Sequence, residues 1–377
     1  MKIITFAPDN DRQLSGTAYA VARALNALSS EAISTVNVKL APYGDFKLSK
    51  VAYICRNMSL AARHGFALSP DYLSAAYASA AKPNMDPTDW FLCFQPLAPA
   101  QVSALASRGA CKIATYIDFS LNEYLSTYST NFKIPLSIKS KLLSQERKAM
   151  HLYNKIFVFD EISRASIIKE FDLDSHKVAA VGRGVNLSAL EASAIAKHRQ
   201  KKDATDSIQL LFIGKDAKRK GLYEIVTAMD RFNENYTGRV HLHVVGPEMA
   251  EIPVRDYITA HGLLDRVADQ VKFQQLLGTA DFGVMLSEAE GGVPSGILEY
   301  LASGIPAIVT DLPRIKYFLG QNSTIFVDVN NRSESFSDVL NNLVADGYYL
   351  NKIHLAKTEM NNFRWSTVVE NMISEFY

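Results

Sequence analysis

Ten short apolar runs, each closed by polar or turn residues, recur along this chain with stretches of helical period between them, and that order leaves few folds open. In the first half the runs are Lys2–Pro8, Trp90–Gln95, Lys112–Asp118, Lys155–Asp160 and Lys177–Gly182. In the second half they are Ile208–Gly214, Val240–Gly246, Phe282–Leu286, Pro306–Asp311 and Thr324–Val329. Runs of roughly four to seven apolar residues without alternation suit strands covered on both faces, as in a parallel sheet. Amphipathic segments such as Thr17–Leu28, Leu142–Tyr153 and Leu222–Phe232 are expected to be helices between them. Strand-helix alternation of this kind builds doubly wound α/β sheets.

The alternation breaks once. Asn186–Ser207 is polar and lysine-rich with no strand, and Ile208–Gly214 then opens a second series. At 377 residues the chain exceeds what one hydrophobic core supports. Two Rossmann-like domains are therefore expected, residues 1–185 and 207–362, joined by a linker over 186–206. The closing segment Phe363–Tyr377 is amphipathic and is expected to return and brace the first domain. Ligands of open parallel sheets bind outside the carboxyl ends of the strands. Two such sheets facing each other make the cleft between domains the default site. Interest falls on the loops that follow strands.

Composition removes several function classes. Forty basic residues against 39 acidic ones leave a formal charge of +1, without the basic excess that bulk nucleic-acid binding requires. Cys55, Cys93 and Cys111 are scattered and form no CxxC pair, as expected of thiols buried in a reducing compartment. The opening MKIITFAPDN reaches a Pro-Asp-Asn turn too early for a signal-peptide core. No apolar run approaches the ~20 residues that cross a bilayer, so a cytoplasmic location is expected. Asp172-Leu173-Asp174 has the D-x-D form of a metal site but precedes a strand, on the side where the chain enters the sheet. His241 and His243 share a strand face without ligand spacing and read as structural, so no metal is expected. No Walker loop, G-x-S-x-G elbow or G-x-G-x-x-G occurs. Lys133, Lys139, Lys141, Arg147 and Lys148 lie beside Phe132, Ile134, Leu136 and Ile138. Such a face is either solvated or suited to peripheral contact with the inner face of the cytoplasmic membrane.

The richest loop is Ser287–Pro306, SEAEGGVPSGILEYLASGIP, which follows an apolar run and enters a helix near Ser295. Gly291 and Gly292 allow close approach of backbone amides to a ligand. Ser295 is placed as the N-cap of a helix whose exposed N–H groups and dipole favour phosphate. Glu299, a turn into that helix, suits a diol such as ribose, and Glu290 suits sugar hydroxyls. Acids that cap a helix start for its dipole alone would give the same pattern. A second loop, Gly214–Gly221, offers Lys215, Arg219 and Lys220 to a diphosphate, or is a solvated basic turn. In the first domain Gly16 precedes a helix after the first strand, and Asp118 ends a strand on the cleft side, or serves there as a turn residue.

Glu288–Pro306 together with Gly214–Gly221 resembles the donor-binding domain of glycosyltransferase family four, retaining enzymes of the GT-B fold. Val245-Gly246-Pro247, ITAHGLLDRV ending at Val267, and Leu276–Ser287 are further matches. The segment from Glu146 through KVAAVGRGVNL, and the closing FRWSTVVENMISEFY, are similar to the family's crossing to the linker and to its terminal helix. The resemblance covers most of residues 142–377 and is thin before them.

The resemblance implies two Rossmann-like domains facing across a cleft. It also implies hexosyl transfer, with retained configuration and without metal or other cofactor, from a nucleoside diphosphate sugar, UDP foremost. The acceptor is a glycan or lipid-linked hydroxyl, in polysaccharide or lipopolysaccharide assembly. Glu299 would hold ribose, Glu290 the donor sugar, and Lys220 with Lys215 or Arg219 the diphosphate. Gly16 would approach the diphosphate from the first domain. Gly246, Pro247 and Leu263 would lie beside the nucleoside. Gly291, Gly292, Val293, Pro294 and Ser295 would form the loop around the donor, with Asp118, Lys220 and Glu290 at the reaction. Two departures stand out. Eight residues separate Glu290 from Glu299, one more than the family pattern, as if one residue were inserted before Ser295. Lys215 stands where the family has arginine, so the charge is present without the bidentate fork. A GT-B nucleotide-sugar epimerase, or an inactive nucleotide-sugar-binding subunit, would satisfy the same motifs.

Overall fold

All ten apolar runs are strands, and they belong to two wholly parallel sheets. The computed structural model describes residues 1–7, 17–29, 33–39, 86–94, 102–103, 112–128, 135–187, 191–192, 194–195, 207–265, 268–319, 323–345 and 363–377. Gly16, Cys55, Cys111, Phe132, Lys133, Ile134 and most of the expected linker lie outside these residues. The described chain divides into a first unit, Met1–Gly184 with Trp365–Tyr377, and a second unit, Val185–Arg364.

In chain order the first unit runs β1 (Lys2–Ala7), α1 (Thr17–Ala27), β2 (Ser34–Lys39), β3 (Trp90–Cys93), β4 (Lys112–Tyr116), α2 (Leu121–Thr127) and α3 (Leu136–Leu152). It continues with β5 (Lys155–Val158), α4 (Glu161–Phe171) and β6 (Val178–Ala180). The second unit runs β7 (Ile208–Ile213), α5 (Leu222–Asn233), β8 (Val240–Val245), β9 (Ile258–Gly262), α6 (Gln270–Thr279) and β10 (Phe282–Met285). Then come α7 (Ser295–Ala302), β11 (Ala307–Thr310), α8 (Pro313–Leu319), β12 (Thr324–Val327) and α9 (Arg332–Ala345). Helix α10 (Trp365–Ser374) closes the chain. The sheet orders are β2-β1-β3-β4-β5-β6 and β12-β11-β10-β7-β8-β9.

Two strands escape the sequence expectation, and both are edges. β2 (STVNVK) alternates apolar with polar residues, and β9 is only half-buried along most of its length. An edge strand need not be enclosed like its neighbours, and these two lack the continuous apolar run that marks central strands, whereas the edges β6 and β12 keep one. Helix α3 also begins earlier than expected, at Leu136 behind Pro135, and its first residue is 84% exposed. Its first turn carries no apolar periodicity for that reason. The D-x-D aspartates end and begin helices. Asp172 takes the left-handed conformation at the end of α4, and the Asp174 carboxylate accepts from the His176 amide.

In the first unit α10 lays Trp365, Val368, Val369 and Met372, and the residues after it lay Phe376, into the same buried cluster as Val21, Leu92 and Phe157. Each such side chain contributes roughly 1.5–3 kcal/mol when fully buried. The Trp365 ring lies against Gly184, where a Cβ would come within 2.3 Å of it. Between β4 and α2 the chain turns through Asp118 to Ser120, whose hydroxyl caps α2 by accepting from the Glu123 amide. Buried Glu146 of α3 accepts from the Leu121 amide at 2.7 Å, and the Ser120 hydroxyl donates to Glu170 at 2.6 Å. Burial pushes the Glu146 carboxyl up to about 7; the Leu121 bond opposes this and the Glu170 charge adds to it.

In the second unit Tyr300 of α7 lies flat on Gly283 of β10, where a Cβ would come within 2.0 Å of the ring. Its hydroxyl accepts from the Ile213 amide at 2.7 Å. β7 and β10 pair only as far as Leu211 and Gly283. The next part of β7 is therefore held by a side chain of α7 instead of by the neighbouring strand. The order reverses at this point, because β7 leads first to β8 and later strands return to its other side.

Tyr300→Phe leaves the Ile213 amide without its acceptor and is expected to destabilise the second unit by about 1–3 kcal/mol in urea unfolding. Glu146 has a folded-state pKa above its ordinary value of 4.5, so its contribution is complete below that value and lost as pH rises through about 7. Glu146→Gln, which cannot titrate, is expected to flatten the decline in the first unit's stability over that interval, measured by urea titrations across pH.

Candidate functional site

Parallel strands release their following loops at one end of the sheet, so the loops after β7 and β10 emerge side by side at the point where the strand order reverses. This is where open α/β sheets bind ligands. The loop after β7 begins with the Gly214 amide donating to the Val245 carbonyl at 3.0 Å. It then tightens through Asp216, whose carboxylate accepts from the Arg219 amide at 3.0 Å. It ends at Gly221, with φ of +77° and no room for a side chain, because a Cβ would sit 2.0 Å from the Leu286 carbonyl oxygen. Only glycine lets the end of this loop rest on the end of β10.

That contact brings the two loops into register. The Glu288 amide donates to the Arg219 carbonyl at 2.9 Å. Arg219 Nη1 donates to Glu290 Oε1 at 3.0 Å and to the Ala289 carbonyl at 3.3 Å, while its Nε donates to Asp216 Oδ2 at 3.3 Å. Lys220 Nζ pairs with the same Glu290 oxygen, and the Ser287 hydroxyl donates to it at 2.7 Å. The side chains of Lys220 and Glu290 are only 11% and 5% exposed. A guanidinium, an ammonium and a carboxylate thus meet in a nearly closed space, where charge-assisted bonds are strong and loss of one partner is costly.

Helix α7 rises directly from this loop. Pro294 occupies its N-cap position without a side-chain bond, and Ser295 is the first helical residue. The expected serine cap is therefore corrected by one position. A proline cap carries no hydroxyl to fold back on the amides of the first turn. Gly296 lets the helix approach β7 closely, since a Cβ would lie 2.9 Å from the Ile213 carbonyl. Glu299, in the second turn, is 0% exposed, and its charge helps to raise the Tyr300 hydroxyl, whose main cause is burial.

Among the residues expected at a donor site, the structure brings together Arg219, Lys220 and Glu290 beside Gly291, Gly292, Val293 and Pro294. Lys215 is exposed and has no ion-pair partner among the described residues. Gly246 follows β8 with φ of +116° and donates to the Gly262 carbonyl at 2.8 Å; Pro247 is buried beside it. Leu263 projects beyond β9, 67% exposed. Three residues of this neighbourhood carry no sequence signal that singled them out. Ser287 is one hydroxyl after an apolar run. Asp216 is a turn aspartate. Arg332, from the start of α9, donates to the Leu286 carbonyl at 2.8 Å and to Glu224 at 2.7 Å. It lies 46 residues from Leu286 in sequence, so no local pattern could reveal it.

In the first unit Asp118 lies just past β4, half-buried. Burial raises its carboxyl pKa and the Arg183 guanidinium opposes the rise. The Tyr116 hydroxyl donates to the Gly182 carbonyl at 2.8 Å, and Arg183 lies over the Phe159 ring at 4.6 Å. His241 and His243 of β8 engage Thr259 at 2.8 Å and Gln209 at 3.0 Å, with His261 beside them. Burial lowers the His241 pKa. Among the described residues no helix is long and apolar enough to cross a membrane.

No curated protein matches this chain in sequence. Its structure is similar to a glycosyltransferase from Rickettsia africae, with a TM-score of 0.59, 13% identity and coverage of 100% of this chain and 97% of the other. It is also similar to the lipopolysaccharide outer core galactosyltransferase WaaB, with a TM-score of 0.59, 12% identity and coverage of 100% and 99%. A UDP-forming α,α-trehalose-phosphate synthase from Burkholderia xenovorans gives a TM-score of 0.65, 15% identity and coverage of 100% and 98%. At such identities the likeness establishes the fold, which is that of GT-B glycosyltransferases. Residues 194–360, which contain both loops of the site, match the family described as glycosyl transferases group 1, and the chain that holds them has the GT-B α/β fold.

Proposed function

We propose that the protein is a retaining, metal-independent hexosyltransferase. It moves a hexosyl unit from a nucleoside diphosphate sugar, UDP foremost, to a hydroxyl of a glycan or lipid-linked acceptor, and the sugar nucleotide is its only co-substrate. The observation that supports this most is the meeting of Arg219, Lys220 and Glu290 on neighbouring loops, beside the start of α7 and at the reversal of strand order. Two cations and a helix start suit a diphosphate, and a carboxylate beside them suits sugar hydroxyls.

In this reading Lys220, Arg219 and Lys215 take the diphosphate, and the amides of Gly291, Gly292, Val293 and Ser295 lie along it, Pro294 having no N–H to offer. Glu299 takes the ribose hydroxyls, and Gly246, Pro247 and Leu263 border the nucleoside. The first unit serves the acceptor, with Asp118 as its candidate contact to the reacting hydroxyl. The charge that develops on the leaving diphosphate is stabilised by the cations, and holding the acceptor on the same face gives retention. A role in surface polysaccharide or lipopolysaccharide assembly, on the cytoplasmic side and in contact with the inner membrane, suits such an activity. WaaB, a structural neighbour, is a lipopolysaccharide galactosyltransferase.

Calorimetry against UDP, GDP, ADP and dTDP tests the reading, and failure to bind any of them would refute it. Glu299→Ala is expected to weaken the tightest of these by about tenfold or more, since a buried site built for hydroxyls loses its acceptor. Unchanged affinity would remove Glu299 from the ribose. Lys220→Ala is expected to lower kcat by about 10²–10³, the loss typical of one preorganised charge at a leaving group. The anomer of the product, read by NMR, decides retention.

A further inference from the structure

Arg219 and Lys220 are the charges that the transferase reading gives to a diphosphate, yet both are already engaged by an anion of the protein itself. The Arg219, Lys220 and Ser287 bonds to Glu290 all run to one oxygen, Oε1. An anionic oxygen that accepts from an arginine, a lysine and a serine hydroxyl is also what a phosphate would present at this place. Asp216 takes the Nε of Arg219, while Nη1 donates to Glu290 and the Ala289 carbonyl. A nearly buried lysine and a partly buried arginine are costly without a counter-charge, so the protein needs an internal anion here. Glu290 is placed to supply it and also to leave. It stands immediately before Gly291 and Gly292, where the chain tolerates a wide range of backbone conformations.

We infer that Glu290 acts as an internal substitute for the donor phosphate, and that donor binding proceeds by exchange. The diphosphate takes Lys220 and Arg219, and the released carboxylate becomes the acceptor for hydroxyls of the donor sugar. After transfer, the carboxylate returns to the cations and competes with the product nucleotide, which speeds its departure. This inference rests on the transferase reading and adds to it that one residue serves both as a sugar contact and as a competitor of the diphosphate. The competition predicts an effect opposite to that of an ordinary contact residue, because neutralising Glu290 improves binding of the free nucleotide while impairing transfer.

The test compares wild type, Glu290→Gln and Ser287→Ala in calorimetry with the tightest-binding of UDP, GDP, ADP and dTDP, and with inorganic pyrophosphate as a competitor. Glu290→Gln is expected to bind that nucleotide at least about tenfold more tightly, one pair of charges having been removed from the competition. Pyrophosphate is expected to displace it at lower concentration than in wild type. Without ligand this variant is expected to melt lower, and with ligand to show the larger upward shift. Ser287→Ala keeps the charge but loosens Glu290, and is expected to tighten nucleotide binding in the same direction by a smaller factor. It decides the matter if Glu290→Gln does not fold. Equal or weaker affinity in the variants, with wild type binding normally, overturns the exchange and leaves the transferase reading standing. Absence of binding in all three proteins overturns both.

Discussion

The contact of Gly221 with the Leu286 carbonyl holds the loop after β7 against the end of β10, and the chemistry of the second unit depends on it. Two parallel strands can share an edge and still send their loops apart. Here a positive-φ glycine removes the side chain that would separate them, and the Glu288 amide then bonds to the Arg219 carbonyl. Lys220 and Arg219 can meet Glu290 only because the backbones have already met. Arg332 holds the same Leu286 carbonyl from another side, so the end of β10 is fixed by a helix that begins long after the loop it supports.

Once the loops are joined, their charges settle each other. A nearly buried lysine and a partly buried arginine would destabilise an open site, and Glu290 compensates them with a single oxygen. The arrangement is stable and also poised, since any ligand bearing an anionic oxygen enters as a rival to a group already present. One carboxylate against two cations leaves a positive excess, part of which Asp216 answers through the Nε of Arg219.

Around this centre the second unit is built for rigidity. Tyr300 covers Gly283 with its ring and takes the Ile213 amide with its hydroxyl, where pairing between β7 and β10 has ended. Gly296 brings α7 onto the end of β7. Strand ends, helix start and both loops therefore share a small set of close contacts, each of which excludes a larger residue.

Much of this was legible in the residues alone, for a physical reason. Central strands of a parallel sheet are enclosed on both faces and must be apolar throughout, so all eight of them stand out, with the edge strands β6 and β12, which are also apolar, and the glycine-rich loops that follow. The alternation of strands and helices, the two-part division of the chain, and the loops of Lys220 and Glu290 belong to that local code. What could not be read locally was decided by partners distant in sequence. The edge strands β2 and β9 pair on one side only and carry no continuous apolar run. Ser295 resembles a cap, yet Pro294 takes the capping position. Lys215 and Lys220 look alike in sequence, but Lys215 is exposed while Lys220 is folded onto Glu290. The union of Glu290 with Arg219 and Lys220 spans about seventy residues of sequence. It exists because β7 and β10 are neighbours in the sheet, and only tertiary structure makes them so.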